Sequence, residues 1–216
     1  MKALIRFTFI FLCCLTSSMS KAQFKVSVGY NLARFTTPQR NFEILAFETN
    51  RIQPGLKIPN MLHGASLGFR FGDEGFLLEF LFTNKKFKSS EFNYFDESHQ
   101  EDYRYQIKTR LRTFNAGIAM GGDVVKIGAS LDVGGFKIFS KNLPVSEFNQ
   151  KPWNRFYGSH SFFTGYTIFV PITMEIVEFR IYYQGAFFYD DFLGFRNYTH
   201  KANNFGANLS FLIGRN

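Results

Sequence analysis

Residues 113–139 read TFNAGIAMGGDVVKIGASLDVGGFKIF, and this stretch decides how the rest of the chain is read. Phe114, Ala116, Ile118 and Met120 alternate with Asn115, Gly117 and Ala119. Gly121-Gly122-Asp123 is a turn by composition. On the return, Val125, Ile127, Ala129, Leu131 and Val133 share one face, and Lys126, Gly128, Ser130, Asp132 and Gly134 share the other. A period of two places successive side chains on opposite faces of a strand. The stretch is therefore a hairpin with one apolar face and one small or polar face.

The same alternation recurs on both sides. Phe24 to Ala33 sets Phe, Val, Val, Tyr and Leu against Lys25, Ser27, Gly29, Asn31 and Ala33. Ala65, Leu67, Phe69 and Phe71 oppose Gly64, Ser66, Gly68 and Arg70; after Gly72-Asp73-Glu74-Gly75, Phe76, Leu78, Phe80 and Phe82 oppose Leu77, Glu79, Leu81 and Thr83. Tyr103–Arg112 carries Tyr105, Ile107 and Leu111 in the opposite phase to Phe114 onward, which implies either a bulge or a strand that has left an apolar medium. Phe162 to Thr173, Val177 to Phe187 and Asn204 to Gly214 complete the set, with a glycine-free join near Glu175. The long connections fall near residues 35–61, 88–102, 141–160 and 191–202, and short turns alternate with them.

Eight strands with alternating long and short connections predict an all-β, eight-stranded antiparallel transmembrane barrel with both termini periplasmic. A soluble eight-stranded barrel would point its apolar face inward. Glycine decides between the two, because Gly29, Gly64, Gly68, Gly117, Gly128, Gly165, Gly206 and Gly214 lie on the polar face. An eight-stranded interior is only wide enough to be filled by side chains, so the crowded face is the glycine-rich one. That puts the phenylalanines of the apolar face, such as Phe24, Phe69, Phe82 and Phe211, against lipid.

Residues 1–22 read as a cleaved signal: Lys2 and Arg6, an apolar run from Phe7 to Leu15, then Ser20-Lys21-Ala22 before Gln23. A lipoprotein signal on Cys13 or Cys14 would put Leu12 or Cys13 where a small residue is wanted. Both cysteines lie in this segment, so the mature domain 23–216 excludes disulfides, thiolate chemistry and sulfur-based zinc sites. Losing Lys2, Arg6 and Lys21 lowers 25 basic residues to 22 against 17 acidic ones, a net of +5, which gives no argument for nucleic acid.

The signal, the Gln23-Phe24 start and stretches such as Phe24–Ala33, Gly64–Phe82 and Asn204–Gly214 resemble the small outer-membrane β-barrels of OmpX or OmpA-barrel type and the PorT-like barrels. The resemblance is one of architecture. It implies residence in the outer membrane of a Gram-negative bacterium, and its PorT-like side implies an accessory role in a protein-secretion or surface-assembly machine with protein partners in the envelope. The end Phe211-Leu212-Ile213-Gly214-Arg215-Asn216 departs from the aromatic last residue usual in these families.

Catalytic chemistry finds little support, and no cofactor or metal is expected. Ser159-His160-Ser161 has no acid nearby in sequence to orient the imidazole, and adjacent strand residues point to opposite faces. His99 with Glu97, Glu101 and Asp102 shows no recurring ligand spacing, and Asp190-Asp191 reads as a strand terminator. A non-enzymatic barrel with a structural or binding role through its external loops is the expected function; a lipid-modifying enzyme is the rival from another class.

Two charged groups stand out. Lys25, Arg70, Glu79, Lys126, Glu178 and Arg180 fall on the inward face near the periplasmic end and predict a hydrogen-bonded ionic plug, with Arg70 and Glu79 as diagonal neighbours. Lys85, Lys86, Lys88, Arg104, Lys108, Arg110 and Arg112, with Lys137 and Lys141, gather at the external ends of neighbouring strands. That basic rim fits the phosphates of lipopolysaccharide, against the simpler reading of interfacial anchors on solvated strands.

Overall fold

The computed structural model describes residues 23–36, 61–73, 75–89, 91–191 and 203–214, and all of them belong to one antiparallel sheet or its turns. Its strands are β1 (Gln23–Phe35), β2 (Met61–Gly72), β3 (Phe76–Lys88), β4 (Phe92–Asp96), β5 (Glu101–Gly121), β6 (Lys126–Pro144), β7 (Asn154–Met174), β8 (Val177–Asp191) and β9 (Asn204–Gly214). The order is β3-β2-β1-β9-β8-β7-β6-β5-β4, and β3 also pairs with β5. That pairing closes a ring of eight strands and leaves β4 outside it. Closure leaves no unpaired edge in the ring, the condition for a sheet to stand in hydrocarbon. The signal segment and the connections at 37–60 and 192–202 lie outside the described residues.

Side-chain parity fixes the faces. Leu131, Ile127, Ile213, Met120, Phe211 and Phe205 point outward at 54–70% exposure, while Ser27, Asn31, Ser66, Asn115, Asn208 and Ser210 are buried inside. The inward face is not uniformly polar, however. Phe163, Phe136 and Phe169 are buried at 0–1% exposure, so the expectation that phenylalanine meets lipid needs correction at these positions and at Phe35 and Phe148. Glycine makes the room. Gly128 pairs directly with Phe169 and Gly134 with Phe163. A Cβ on Gly128 would lie 2.5 Å from the Phe169 ring, and one on Gly134 would lie 2.6 Å from that of Phe163.

Strand β5 resolves the change of phase at Arg112. It runs for 21 residues and pairs without a register shift with β3 and β6. No bulge is present there: Tyr105, Ile107 and Leu111 are buried on the same side as Thr109, Thr113 and Asn115. Register shifts occur instead between Lys137 and Phe139 and between Thr164 and Gly165. The connections expected at 88–102 and 141–160 are shorter than the sequence implied. Most of the first is β4 and the hairpin tip leading into β5, and the second shrinks because β6 reaches Pro144 and β7 starts at Asn154.

The short turns lie at one end of the barrel, together with Gln23 and Gly214. At the first, Asp73 Oδ1 accepts from the backbone N–H of Gly75 and Phe76 at 3.0 and 2.9 Å. At the third, Met174 pairs with Val177, and Glu175 adopts φ 52°. Few non-glycine residues take that conformation, which is why this turn carried no composition signal.

Candidate functional site: a filled lumen and a basic outer wall

The interior is stacked in three layers above an open vestibule. The vestibule, at the turn end, has a volume of about 620 Å³ and is lined by Lys25, Asp73, Asp123 and Lys126, with Arg70 and Glu178 among its lining residues. Above it, β2, β3 and β8 converge four charges. Arg70 donates from both terminal nitrogens to Glu178, one of these bonds being 2.6 Å. Arg180 grips Glu79 in the same bidentate way at 2.6 and 2.5 Å. Cross-contacts of 3.5 Å (Arg70 to Glu79) and 3.2 Å (Arg180 to Glu178) join the pairs into one quartet, with each side chain at most 5% exposed. Two positive and two negative charges cancel within the group. The Phe169 ring lies 4.3 Å from the Arg180 guanidinium and covers it.

Of the six inward charges read from the sequence, the structure brings four together. Lys126 instead donates to the Gly122 carbonyl at 2.8 Å, and Lys25 lines the vestibule. Arg70 and Glu79 are direct register partners rather than diagonal neighbours.

The second layer is a polar network. Asp132 accepts from Ser130 at 2.8 Å, from Gln184 at 2.7 Å and from Thr167. Asn204 donates to Gln184 at 2.9 Å, and Thr83 and Thr113 share a hydrogen bond. Lys85 belongs here and not to the external rim. It is 1% exposed and donates to Tyr182 at 3.1 Å, Asn204 at 3.3 Å and Gln184 at 3.5 Å. Its odd number puts it in phase with Glu79, Leu81 and Thr83, the signal that would have turned it inward. A residual cavity of about 20 Å³ remains in this layer, room for about one water.

The third layer is apolar. Phe35, Leu62, Ile107, Leu111, Phe136 and Phe163 form one buried cluster, with Phe35 and Phe136 edge to face at 5.6 Å.

An apolar outer wall around a filled, charge-balanced interior is the inverse of a soluble barrel. Along β1 the outward apolar run from Phe24 to Leu32 spans roughly 20 Å once strand tilt is allowed for, most of the band of about 25 Å that such barrels present to hydrocarbon. The chain has the fold of a small outer-membrane β-barrel. No protein-family model and no curated protein matches it. Among solved structures it is similar to Ail, the attachment invasion locus protein of Yersinia pestis, determined in complex with the heparin analogue sucrose octasulfate: 10% identity, 89% of this chain and 97% of that one covered, TM-score 0.49.

Outside the barrel, β3, β5 and β6 continue beyond the apolar band. The remaining rim residues divide. Lys86, Lys88, Lys108, Arg110 and Arg112 share the outward face of β3 and β5, whereas Arg104 pairs with Glu91 at 2.9 Å and donates to Asn93 at 2.9 Å. Trp153, on the segment between β6 and β7, lies over this face with the ammonium groups of Lys108, Lys141 and Lys88 at 5.6, 5.9 and 6.0 Å from its ring centroid. Burial and the nearby charges of Lys86, Arg110 and Lys88 push the Lys108 ammonium below its ordinary pKa.

At the tip of the β4–β5 hairpin, His99 Nδ1 contacts Asp96 at 2.8 Å and Ser98 Oγ at 3.0 Å. Both partners use the same ring nitrogen, so this trio is not a charge-relay arrangement. Hydrogen bonds from Ser98 and His99 lower the Asp96 pKa to about 2. No group of three His, Cys, Asp or Glu able to hold a metal occurs among the described residues. The side chains of Ser159-His160-Ser161 and Asp190-Asp191 lie outside them.

Proposed function

We propose that this protein is a non-enzymatic barrel of the bacterial outer membrane with a sealed lumen, working as a binding or structural element through the strand extensions beyond its loop end. In this reading residues 1–22 direct export and are removed, both termini are periplasmic, and the extended β4–β5–β6 sheet stands outside the cell. The observation that carries it is the quartet of Arg70, Glu79, Glu178 and Arg180, which crosses the interior through two bidentate pairs. Ions passing it would have to break charge-assisted bonds between side chains that are at most 5% exposed.

The test is reconstitution in planar bilayers. The native barrel is expected to give no steady conductance, and Arg70→Ala or Glu79→Ala is expected to produce brief conducting events or to lower the unfolding temperature. Steady conductance by the native protein would refute a sealed lumen.

A further inference from the structure

We propose that the outward face of β3, β5 and β6 just beyond the apolar band is a docking surface for a phosphorylated glycolipid of the outer leaflet, taking its phosphates on the lower basic rows and its inner sugars beside Trp153. The inference rests on the reading of the chain as an outer-membrane barrel and names the partner of its outer wall.

The strand register builds the rows. Asn84 lies opposite Arg112, Lys86 opposite Arg110 and Lys88 opposite Lys108. Arg110 in turn lies opposite Lys137, and Lys108 opposite Phe139. Like charges directly across a strand pair are destabilising, so the facing cations Lys88 and Lys108, with Lys86 and Arg112 on the same face, form a surface matched to an anion. Among the described residues, Glu91 pairs with Arg104 at 2.9 Å and Glu147 with Lys151 at 3.0 Å. Aromatic rings hold the cations in place, with Phe139 5.3 Å from the Arg110 guanidinium and 5.8 Å from the Lys108 ammonium. Burial, and after it repulsion from Lys86, Arg110 and Lys88, depresses the Lys108 pKa, and a bound anion would relieve the second of these.

Height and direction choose the partner. The last outward apolar residues are Phe82 on β3 and Phe114 on β5, which are register partners. Arg112, Arg110 and Lys108 follow Phe114 at intervals of two residues on the same face. At about 3.3 Å per residue and a tilt near 40°, their rows stand roughly 5, 10 and 15 Å beyond the band. The lowest row is level with headgroup phosphates. The surface faces sideways into the leaflet rather than outward along the barrel axis, so its ligand approaches as a lipid. A simple phospholipid offers one phosphate to one row. A glycolipid carrying phosphates on sugars can span all three rows and reach the indole.

Trp153 is the sole tryptophan and sits within the site, so its fluorescence reports occupancy. The barrel in lipid nanodiscs would be titrated with bisphosphorylated lipopolysaccharide, with the same lipid after enzymatic dephosphorylation, with phosphatidylglycerol and with a soluble sulfated oligosaccharide. Saturable change is expected with the phosphorylated glycolipid, with at least tenfold weaker binding for the dephosphorylated form and for phosphatidylglycerol. The triple variant Lys86→Gln/Lys108→Gln/Arg112→Gln, checked for folding by heat-dependent electrophoretic mobility, is expected to lose at least tenfold in affinity. Equal binding of the dephosphorylated lipid or phosphatidylglycerol, tighter binding of the soluble polyanion, or a folded triple variant with unchanged affinity would each overturn the site. A folded, non-conducting barrel that fails these titrations removes this site alone, whereas a conducting one removes the sealed-lumen reading.

Discussion

Truncating Glu178 puts the sealed interior to a quantitative test. Its carboxylate accepts two bonds from Arg70 and a contact from Arg180 at 3.2 Å, with Thr173 Oγ1 at 3.4 Å, and the side chain is fully buried. Unit charges about 4 Å apart interact by roughly 4 kcal/mol at an effective dielectric constant near 20. Removing one member of a buried pair typically costs about 3–5 kcal/mol, because the partner is left charged and uncompensated. Glu178→Ala is therefore expected to lower the unfolding free energy by about 3–5 kcal/mol, and Arg70→Ala by a similar amount. The double variant removes both charges and leaves the Arg180–Glu79 pair neutral overall. Its loss should fall short of the sum of the single losses by about 2 kcal/mol or more, within the range measured for contacting residues. Urea unfolding in lipid vesicles, followed by tryptophan fluorescence and electrophoretic mobility, gives all three values. Losses that add to within about 0.5 kcal/mol would mean the two side chains do not interact, and the quartet would have to be abandoned.

Phe136→Ala empties part of the apolar layer and should cost about 3–5 kcal/mol in the same assay, yet leave the bilayer non-conducting because the quartet still blocks the lumen. Gly128→Ala forces a methyl to within 2.5 Å of the Phe169 ring and 2.6 Å of the Ile118 carbonyl oxygen and should cost about 1–3 kcal/mol, of which Phe169→Leu should restore only the part due to the ring. Asp96 binds its proton more weakly folded than unfolded, so its contribution to the hairpin tip is present above about pH 4 and is lost as pH falls toward 2; amide protection at Ser98, whose N–H donates to the carboxylate, should fall over that window, and in Asp96→Ala it should already be absent at neutral pH. Lys108 has the opposite sense for a base, its charged form being disfavoured by folding. Stability should therefore rise as pH climbs through its lowered pKa toward the ordinary lysine value, and Lys108→Gln should raise the neutral-pH melting temperature and flatten that slope.

Parity made the barrel legible in the sequence, because each strand declares its two faces within itself. It placed Arg70, Glu79, Glu178 and Arg180 on one side, but not who meets whom. Arg70 and Glu178 are 108 residues apart, and their contact depends on the stagger of strands around the closed ring, a global quantity that no local pattern encodes. Lys85 misled for a different reason. A lysine at a strand end is ordinarily an interfacial anchor, and only phase, counted from Glu79, shows that it points inward. The apolar upper layer was hidden in plain alternation: beyond the band the outward face turns basic while the inward face turns apolar, so β5 looks shifted by one residue although its hydrogen bonding is continuous. Inward aromatics opposite glycine, such as Phe169 and Phe163, become apparent only when strands are paired.

The central claim, lipid outside and a filled interior, is tested most directly by single cysteines placed in residues 23–216, which contain none of their own. Ser130→Cys and Ser210→Cys change little in size and lie on the buried inner face, while Ile127→Cys, Leu131→Cys and Leu209→Cys lie on the outer wall. In the folded barrel in lipid bilayers, the outer positions carrying spin labels should show high collision rates with oxygen and low ones with a water-soluble nickel chelate, and the two inner thiols should resist a charged methanethiosulfonate reagent until the protein is unfolded. Rapid reaction at Ser130→Cys or Ser210→Cys, or nickel accessibility at Leu131→Cys or Leu209→Cys matching that of a solvated strand, would contradict it.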